Sequence, residues 1–551
     1  MLEIHRLVKH VGFAWQFVLM NVLKLTKCEI MFINNLKTNI IESKKYILIY
    51  LAFILISSLS MISANNFAHP KMEIILFAII AVAGSFCIVY HNSHKELYKT
   101  AFVVLIILGL LLAFIVPICE SGDSDEHLRR AELTSRGVLF PEYNGDNFTN
   151  YYKNGSNYQW DGSGFQSIDS IQFFTKDRYD TVFTTTHDTD KINHTLVNVN
   201  QVFEQNPFFG YLPQAIGVFI AKLLDLNVIW MLWLASICNL VVYSAIVSFA
   251  IRKTPIFKVP LFVTACIPLA VFQAASPSID SIIYSVSILL IAYFFYLYKL
   301  NDCTINIKHI TKFMALVLFL GMCKLTLFSF ALLIFAVPLK NFKNRKMLLY
   351  SIGSIVILGI IGLLWSKFAT DSLWHSYRAV HFLKDNINST QQVEFLLSSP
   401  SNILLVLGDV LNQITHIFSP LYPSWPLSND DEHYKLASQF LSAVIPFFLA
   451  FVYMAYPSKE KISPKAKLIA FVVAGLIFFG TCMAEYLTWT PVGNVVIDGT
   501  NIRYYIPFFG LLPFIFNINK LDNNNKIKNY VITLSISFLA GLLLAIGFYF
   551  Y

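Results

Sequence analysis

Residues 120–141 read ESGDSDEHLRRAELTSRGVLFP and follow directly on an apolar run that ends near Ile118. An acidic cluster (Asp123, Asp125, Glu126), His127 and the arginines Arg129, Arg130 and Arg136 share this short stretch. Acids placed where a helix leaves a bilayer are costly unless they are solvated or used, so the stretch is a functional candidate. Asp125/Arg129 and Glu126/Arg130 are each spaced i,i+4, and the plain alternative is a solvated helix start with ordinary ion pairs. Asp123-Ser-Asp125 is an Asp-x-Asp pattern, which holds divalent cations through oxygen ligands but is a weak signal alone. Two further charges stand in apolar surroundings. Asp280, in the turn after Pro277, either faces the same cavity or, with Ser278, caps the next helix. Lys324, within MCKLTLF, either binds an anion or snorkels to the interface.

The elements that position these residues follow from composition. The 551 residues are 56% hydrophobic and 13% charged. Runs of about 20 apolar residues recur, so the chain reads as a polytopic membrane protein. The net charge of +8 reads as lysine-rich cytoplasmic loops that set orientation, not as a nucleic-acid surface. The eight cysteines form no disulfide framework. Cys87, Cys238, Cys266, Cys323 and Cys482 lie in apolar runs, and Cys119 has no obvious partner. No C-x-x-C, His-Glu-x-x-His, P-loop or Rossmann glycine pattern is present, so any reaction draws on an already activated substrate. Residues 1–45 read as a cytoplasmic or interfacial segment. Its beginning is either an amphipathic helix or lies upstream of a true start at Met31.

Positive-inside counting lays out residues 46–551 as one transmembrane domain. Tyr46–Ile62 and Lys71–Tyr90 form a hairpin, and Ala101–Ile118 exits. Residues 119–227 make a large exoplasmic loop, with β-type patches such as TVFTTT, that folds as a small lid. Phe208–Leu224 is apolar enough for a span. The next run, Val228–Ile251, ends at Arg252 and Lys253 and must begin outside, so Phe208–Leu224 is expected to lie flat in the outer leaflet. Pro260–Ala275 exits and Ser281–Tyr298 returns. Phe313–Pro338 has basic loops on both flanks, which predicts a hairpin of two short helices with Lys324 near its tip. Met347–Trp365 exits to a second large loop, residues 366–435, containing the amphipathic PSNILLVLGDVLNQITHIF and the aromatic turn SPLYPSWP. Leu436–Tyr456, Leu468–Tyr486, Tyr504–Phe516 and Tyr530–Tyr549 complete about thirteen membrane elements. Glu485 and Lys435, near span ends, read as interfacial. No internal repeat of transporter type is evident.

SDEHLRRAELTSRG resembles the Asp-Glu-x-x-His…Arg-Ala…Gly signature that opens the first exoplasmic loop in a family of bacterial polytopic proteins, DUF2142. NPFFGYLPQAIGVFIAKLL resembles its Pro-Pro-x-x-Tyr-Leu-Pro-Gln segment, ASPSIDS its Ser-x-Ser-Pro-Asp turn, and NIRYYIPFFGLLPF its Gly-Arg-Tyr…Pro motif. The four motifs keep the family's order over roughly residues 100–518. Asn501-Ile502 replaces the usual Gln-Gly before Arg503, and Ser124 replaces Pro before Asp125. The family is similar in layout to the GT-C glycosyltransferases. Those enzymes take a sugar from a polyprenyl-phosphate or -diphosphate donor and keep their catalytic acid in the first exoplasmic loop.

The resemblance implies an all-α integral membrane protein, a GT-C-like bundle of about thirteen membrane helices. Its large first exoplasmic loop would carry juxtamembrane helices. It would sit in the bacterial cytoplasmic membrane with the active site on the exoplasmic face. The implied reaction is inverting transfer of a sugar from a polyprenyl-phosphate-linked donor to a cell-surface glycan acceptor. Such transfer needs a base for the acceptor hydroxyl and positive charge for the departing phosphate. Asp125 is the first candidate base and Glu126 the second. His127, Arg129, Asp280, Lys324, Arg503 and Tyr504 are the candidate substrate-binding residues. Arg503 suits the phosphate because a guanidinium donates two parallel hydrogen bonds and keeps its charge. No cofactor is required, and a divalent metal at Asp123 and Asp125 stays open. The partners are the donor, the acceptor and the lipid bilayer, without nucleic acid. A transporter or flippase of lipid-linked sugars is the rival. It would line a whole path with polar groups, whereas here they gather on one face. A non-catalytic envelope-assembly scaffold is the third reading.

Overall fold

The computed structural model describes residues 38–61, 70–94, 96–118, 123–140, 206–373, 382–417, 443–521 and 524–551, residues 203 and 441, and short segments between 152 and 199. The N-terminal segment, Cys119, most of TVFTTT, SPLYPSWP and Lys435 lie outside the described residues.

Helix α1 covers residues 38–61, α2 Pro70–Ser93 and α3 Leu97–Ile115. The first loop then carries α4, Ser124–Ser135, and two small antiparallel pairs of strands. β1 (Tyr152–Asn154) pairs with β2 (Asn157–Gln159), and β3 (Phe165–Ile168) with β4 (Leu196–Val199). There follow α5 (Leu212–Leu223), α6 (Val228–Lys253), α7 (Lys258–Ala265), α8 (Pro268–Ala274), α9 (Asp280–Lys299) and α10 (Ile307–Cys323). The remainder is α11 (Arg345–Leu373), α12 (Ser389–Ser398), α13 (Pro400–His416), α14 (Ala443–Ala455), α15 (Pro464–Thr488), α16 (Ile506–Phe509), α17 (Leu512–Phe516) and α18 (Asn525–Phe550).

This is a mostly helical multi-pass membrane protein. Among the described residues, 7 helices are long and apolar enough to cross a bilayer: α2, α3, α6, α9, α11, α15 and α18. The count becomes 8 if α12 and α13, bent by 112° against each other, form one span. Straight spans therefore do not reach the expected thirteen, because several apolar runs are broken by proline. Pro268 opens α8 after a break at Cys266–Ile267, and Pro507 and Pro513 open α16 and α17. Proline lacks the N–H that continues a helix and clashes with the preceding turn, so it sits at helix starts. Burial separates the spans. Within their apolar windows α9 and α18 are 83% and 94% buried, whereas α11 is 11% buried and lies at the periphery.

The Phe208–Leu224 segment is a 3-10 turn, Phe208–Tyr211, followed by α5. At 12 residues α5 is short for a span. It packs closely on the first half of α6, Gly217 against Leu234. A Cβ on Gly217 would fall 2.2 Å from the Leu234 carbonyl oxygen. The Gln214 and Asn239 side-chain amides both donate to the Ser278 carbonyl. Lipid offers an apolar helix no advantage over a neighbouring helix, so close packing at a small residue decides.

The hairpin expected around Lys324 is present. Backbone N–H groups join its ends, Ile305 to the Asn341 carbonyl (2.8 Å) and Lys343 to the Ile305 carbonyl (2.9 Å). Lys324 interrupts the two arms, and the returning arm, Leu325–Ala336, is a 3-10 helix instead of an α-helix. The amphipathic piece of the second large loop forms α13. Its Asp409 accepts from the Ile497 N–H at 2.9 Å and its Gln413 from the Thr500 hydroxyl at 3.0 Å. Leu404 and Leu411 remain exposed on its apolar side. The loop that leads into Arg503 is thus held by the polar face of α13.

Two outcomes follow. Gly217→Val should separate α5 from α6 and destabilise the detergent-solubilised protein by about 1–3 kcal/mol. Gly353→Ala, where nothing lies within 4 Å, should not; thermal denaturation reads both. Single cysteines placed at Thr304 and Lys343 should be labelled by an impermeant reagent from the same side of the membrane, and one at Val496 from the other. Labelling of positions 304 and 343 from opposite sides would refute the hairpin.

Candidate functional site

The site forms where the first loop, the turn before α9, the Lys324 hairpin tip and the segment before α16 meet. Asp123 precedes α4 with φ 54°, a left-handed conformation that aspartate tolerates. Its carbonyl accepts from the His127 N–H at 2.9 Å and starts the helix. Its carboxylate makes no cap and instead meets Arg503, Oδ2 to Nη2, at 3.0 Å.

At the start of α9 the two expectations for Asp280 divide between two residues. The Ser278 hydroxyl accepts from the Asp280 N–H at 3.2 Å, although the N-cap position itself is Ile279. The Asp280 carboxylate turns to Arg503, Oδ2 to Nε, at 3.8 Å. The Arg503 side chain is only 15% exposed, Asp280 14% and Asp123 40%, which makes Asp123 the partner that solvent reaches. The Arg503 backbone is held as well. Its N–H donates to the Asn501 side chain at 3.1 Å, and its carbonyl accepts from the Tyr284 hydroxyl at 2.9 Å.

Tyr504 lies between the two cations. Lys324 Nζ is 3.4 Å from the centre of its ring and Arg503 Cζ 5.3 Å. A phenol face attracts both electrostatically, more so where water is excluded. Lys324 also feels the charges of Asp280 and Glu485. Glu485, read as interfacial, stands in the last turn of α15 with one carboxylate oxygen buried.

The remaining side chains of α4 behave differently. Arg129 approaches Asp125 at 3.9 Å and Glu126 at 3.8 Å. The expected Glu126/Arg130 pair gives way to Glu126/Arg129, because Arg130 turns inward. It donates to the carbonyls of Asn206, Val138 and Leu139 and to the Thr134 hydroxyl. His127, expected at the substrate, is 3% exposed. Its Nδ1 shares a hydrogen bond with the Tyr211 hydroxyl at 2.7 Å, its Nε2 lies 3.4 Å from the Ser278 hydroxyl, and its ring stacks on Phe203 at 4.5 Å. Burial pushes its pKa down to about 3, so it is neutral at pH 7 and pins α4 to the turn before α9.

Glu132 is a structural acid that sequence spacing did not single out. It is completely buried and accepts from Lys222 at 2.6 Å, Arg136 at 2.7 Å and the Ser167 hydroxyl at 3.3 Å. One carboxylate thereby ties α4 to α5 and β3. As for metal, Asp123 is committed to Arg503, and no group of three His, Cys, Asp or Glu side chains able to hold an ion occurs among the described residues.

The chain matches the family model described as a predicted membrane protein, DUF2142, over residues 105–512. It belongs to that family, and Asp123, Asp280, Lys324, Arg503 and Tyr504 all fall inside the match. No curated protein and no solved structure matches it.

Removing one member of a buried ion pair leaves the other uncompensated, at about 3–5 kcal/mol. Glu132→Gln should therefore destabilise the protein by about 3 kcal/mol. Glu132→Gln combined with Lys222→Gln should recover part of that loss in a thermal double-mutant cycle. Strict additivity of the two would show that the pair is not coupled.

Proposed function

We propose that this member of the DUF2142 family is an inverting membrane glycosyltransferase. It moves a sugar from a polyprenyl-phosphate-linked donor to a cell-surface glycan on the exoplasmic side of the bacterial cytoplasmic membrane. The proposed architecture is a GT-C-like bundle of about thirteen membrane elements, the shorter ones broken as described. The observation that carries the reading is the convergence of Arg503 and Lys324 on Tyr504, beside Asp123 of the first loop.

The charges assign the roles. Without substrate, Asp123 and Asp280 face Arg503, and Asp280 and Glu485 act on Lys324, so the cations are already balanced. A donor phosphate displaces Asp123, the most exposed of Arg503's partners, and takes both prongs of the guanidinium. Lys324 adds a point charge at the hairpin tip. Asp125 acts as base. Its carboxylate stands in the first turn of α4, 3.9 Å from Arg129, and a carboxylate is the group that takes the acceptor hydroxyl proton in such a transfer. The acceptor oxygen attacks the anomeric carbon as its proton passes to Asp125, the bond to the donor phosphate breaks, and the polyprenyl phosphate leaves against Arg503 and Lys324.

The test is in-vitro transfer with saturating polyprenyl-phosphate sugar. Arg503→Lys should lower turnover by about tenfold or more, since lysine keeps charge but loses the fork; each decade corresponds to about 1.4 kcal/mol. Asp125→Asn should abolish turnover at unchanged melting temperature. Wild-type turnover in both Arg503→Lys and Lys324→Gln would move the phosphate site elsewhere. Near-normal turnover in Asp125→Asn would remove it as the base.

A further inference from the structure

The end of α10 remote from Lys324 borders a second concavity, away from the charged cluster. It is a cavity of about 650 Å³ between α6, α9 and α10. Its lining spans residues 286–296 of α9 and 309–319 of α10. Each is about 15 Å of helix at 1.5 Å per residue. That matches one leaflet, half of a hydrocarbon core roughly 30 Å thick.

The lining changes character along this length. Val286, Leu289, Leu316 and Phe319 make one end apolar. The other end carries Lys253, the last residue of α6, with His309 and Lys312 from the first turns of α10. Tyr293 and Tyr296 stack at 5.7 Å in the same lining, and the Tyr293 hydroxyl donates to the His309 carbonyl at 3.4 Å. At the apolar end Phe319 packs on Phe209, ring centres 4.8 Å apart.

A single lysine at the end of a span is ordinary and sets orientation. Here two lysines from different helices flank the mouth of one leaflet-deep apolar groove, the arrangement that selects an anionic headgroup with its chain. We propose that the groove holds an anionic glycerophospholipid of the leaflet opposite the Arg503 cluster. Its phosphate lies between Lys253 and Lys312, and one acyl chain lies against Leu289, Leu316 and Phe319. The short groove, about one leaflet deep, suits an acyl chain that ends within one leaflet. The site is independent of the proposed transferase chemistry.

Native mass spectrometry of the full chain in detergent tests this, with phosphatidylglycerol, phosphatidylcholine and a polyprenyl phosphate added in competition. Phosphatidylglycerol should be retained in preference to the other two. The double variant Lys253→Gln/Lys312→Gln should weaken its retention by about tenfold or more. Lys343→Gln/Lys346→Gln, which changes basic residues away from the groove, should leave retention unchanged. Ala315→Trp should fill the groove and expel the lipid; if that variant does not fold, the lysine pairs decide alone. Equal retention of phosphatidylcholine, equal loss in both lysine pairs, or preferred retention of the polyprenyl phosphate would each overturn the proposal.

Discussion

A buried guanidinium sets the main constraint on this structure. Arg503 cannot shed its proton, so placing it where only 15% of its side chain is exposed demands anions. Its partners come from far away in the chain. Asp123 stands 380 residues earlier and Asp280 opens a central span. The first loop, the turn before α9 and the segment before α16 must therefore meet at one point. Tyr284 and Asn501 fix the Arg503 backbone there, so the position of the charge does not depend on the side-chain pairing alone.

The surroundings are built so that this meeting point does not drift. Ser278 serves both sides of it. Its hydroxyl lies near His127 and accepts from the Asp280 N–H, while its carbonyl takes the amides of Gln214 and Asn239. Neutral His127 and buried Glu132 anchor two faces of α4, against Tyr211 and against Lys222. Asp125 and Arg129 lie on the same side of the helix as Glu132, nearer its start, and Arg129 stands within 4 Å of both Asp125 and Glu126. One short helix thus carries both the buried anchors and an acidic first turn.

The sequence made part of this legible. Asp280, Lys324, Arg503 and Tyr504 stood out because charged or motif-borne residues in apolar context are costly, and the structure brings them together. Asp123 was noticed only as half of an Asp-x-Asp pattern, and Glu132 was passed over. On α4 the spacing i,i+4 names several possible pairs at once, and which of them forms depends on what packs against each face. Arg129 satisfies both Asp125 and Glu126, because Arg130 is drawn to three backbone carbonyls that the sequence does not place.

By itself the sequence determined that the chain crosses the membrane many times. Apolar length is set by bilayer thickness, and lysine placement sets orientation. It also determined the hairpin at 313–338, since basic residues on both flanks require an even number of crossings. The tertiary structure alone decided which spans are central. α9 and α18 are buried in protein while α11 faces outward, yet lipid and protein interior are equally apolar, so hydropathy cannot separate them. It alone stood α5 against α6, where the missing side chain at Gly217 admits the Leu234 backbone. It alone chose Asp123 as the carboxylate 3.0 Å from Arg503, because an ion pair across 380 residues is set by the path of the chain and not by local spacing.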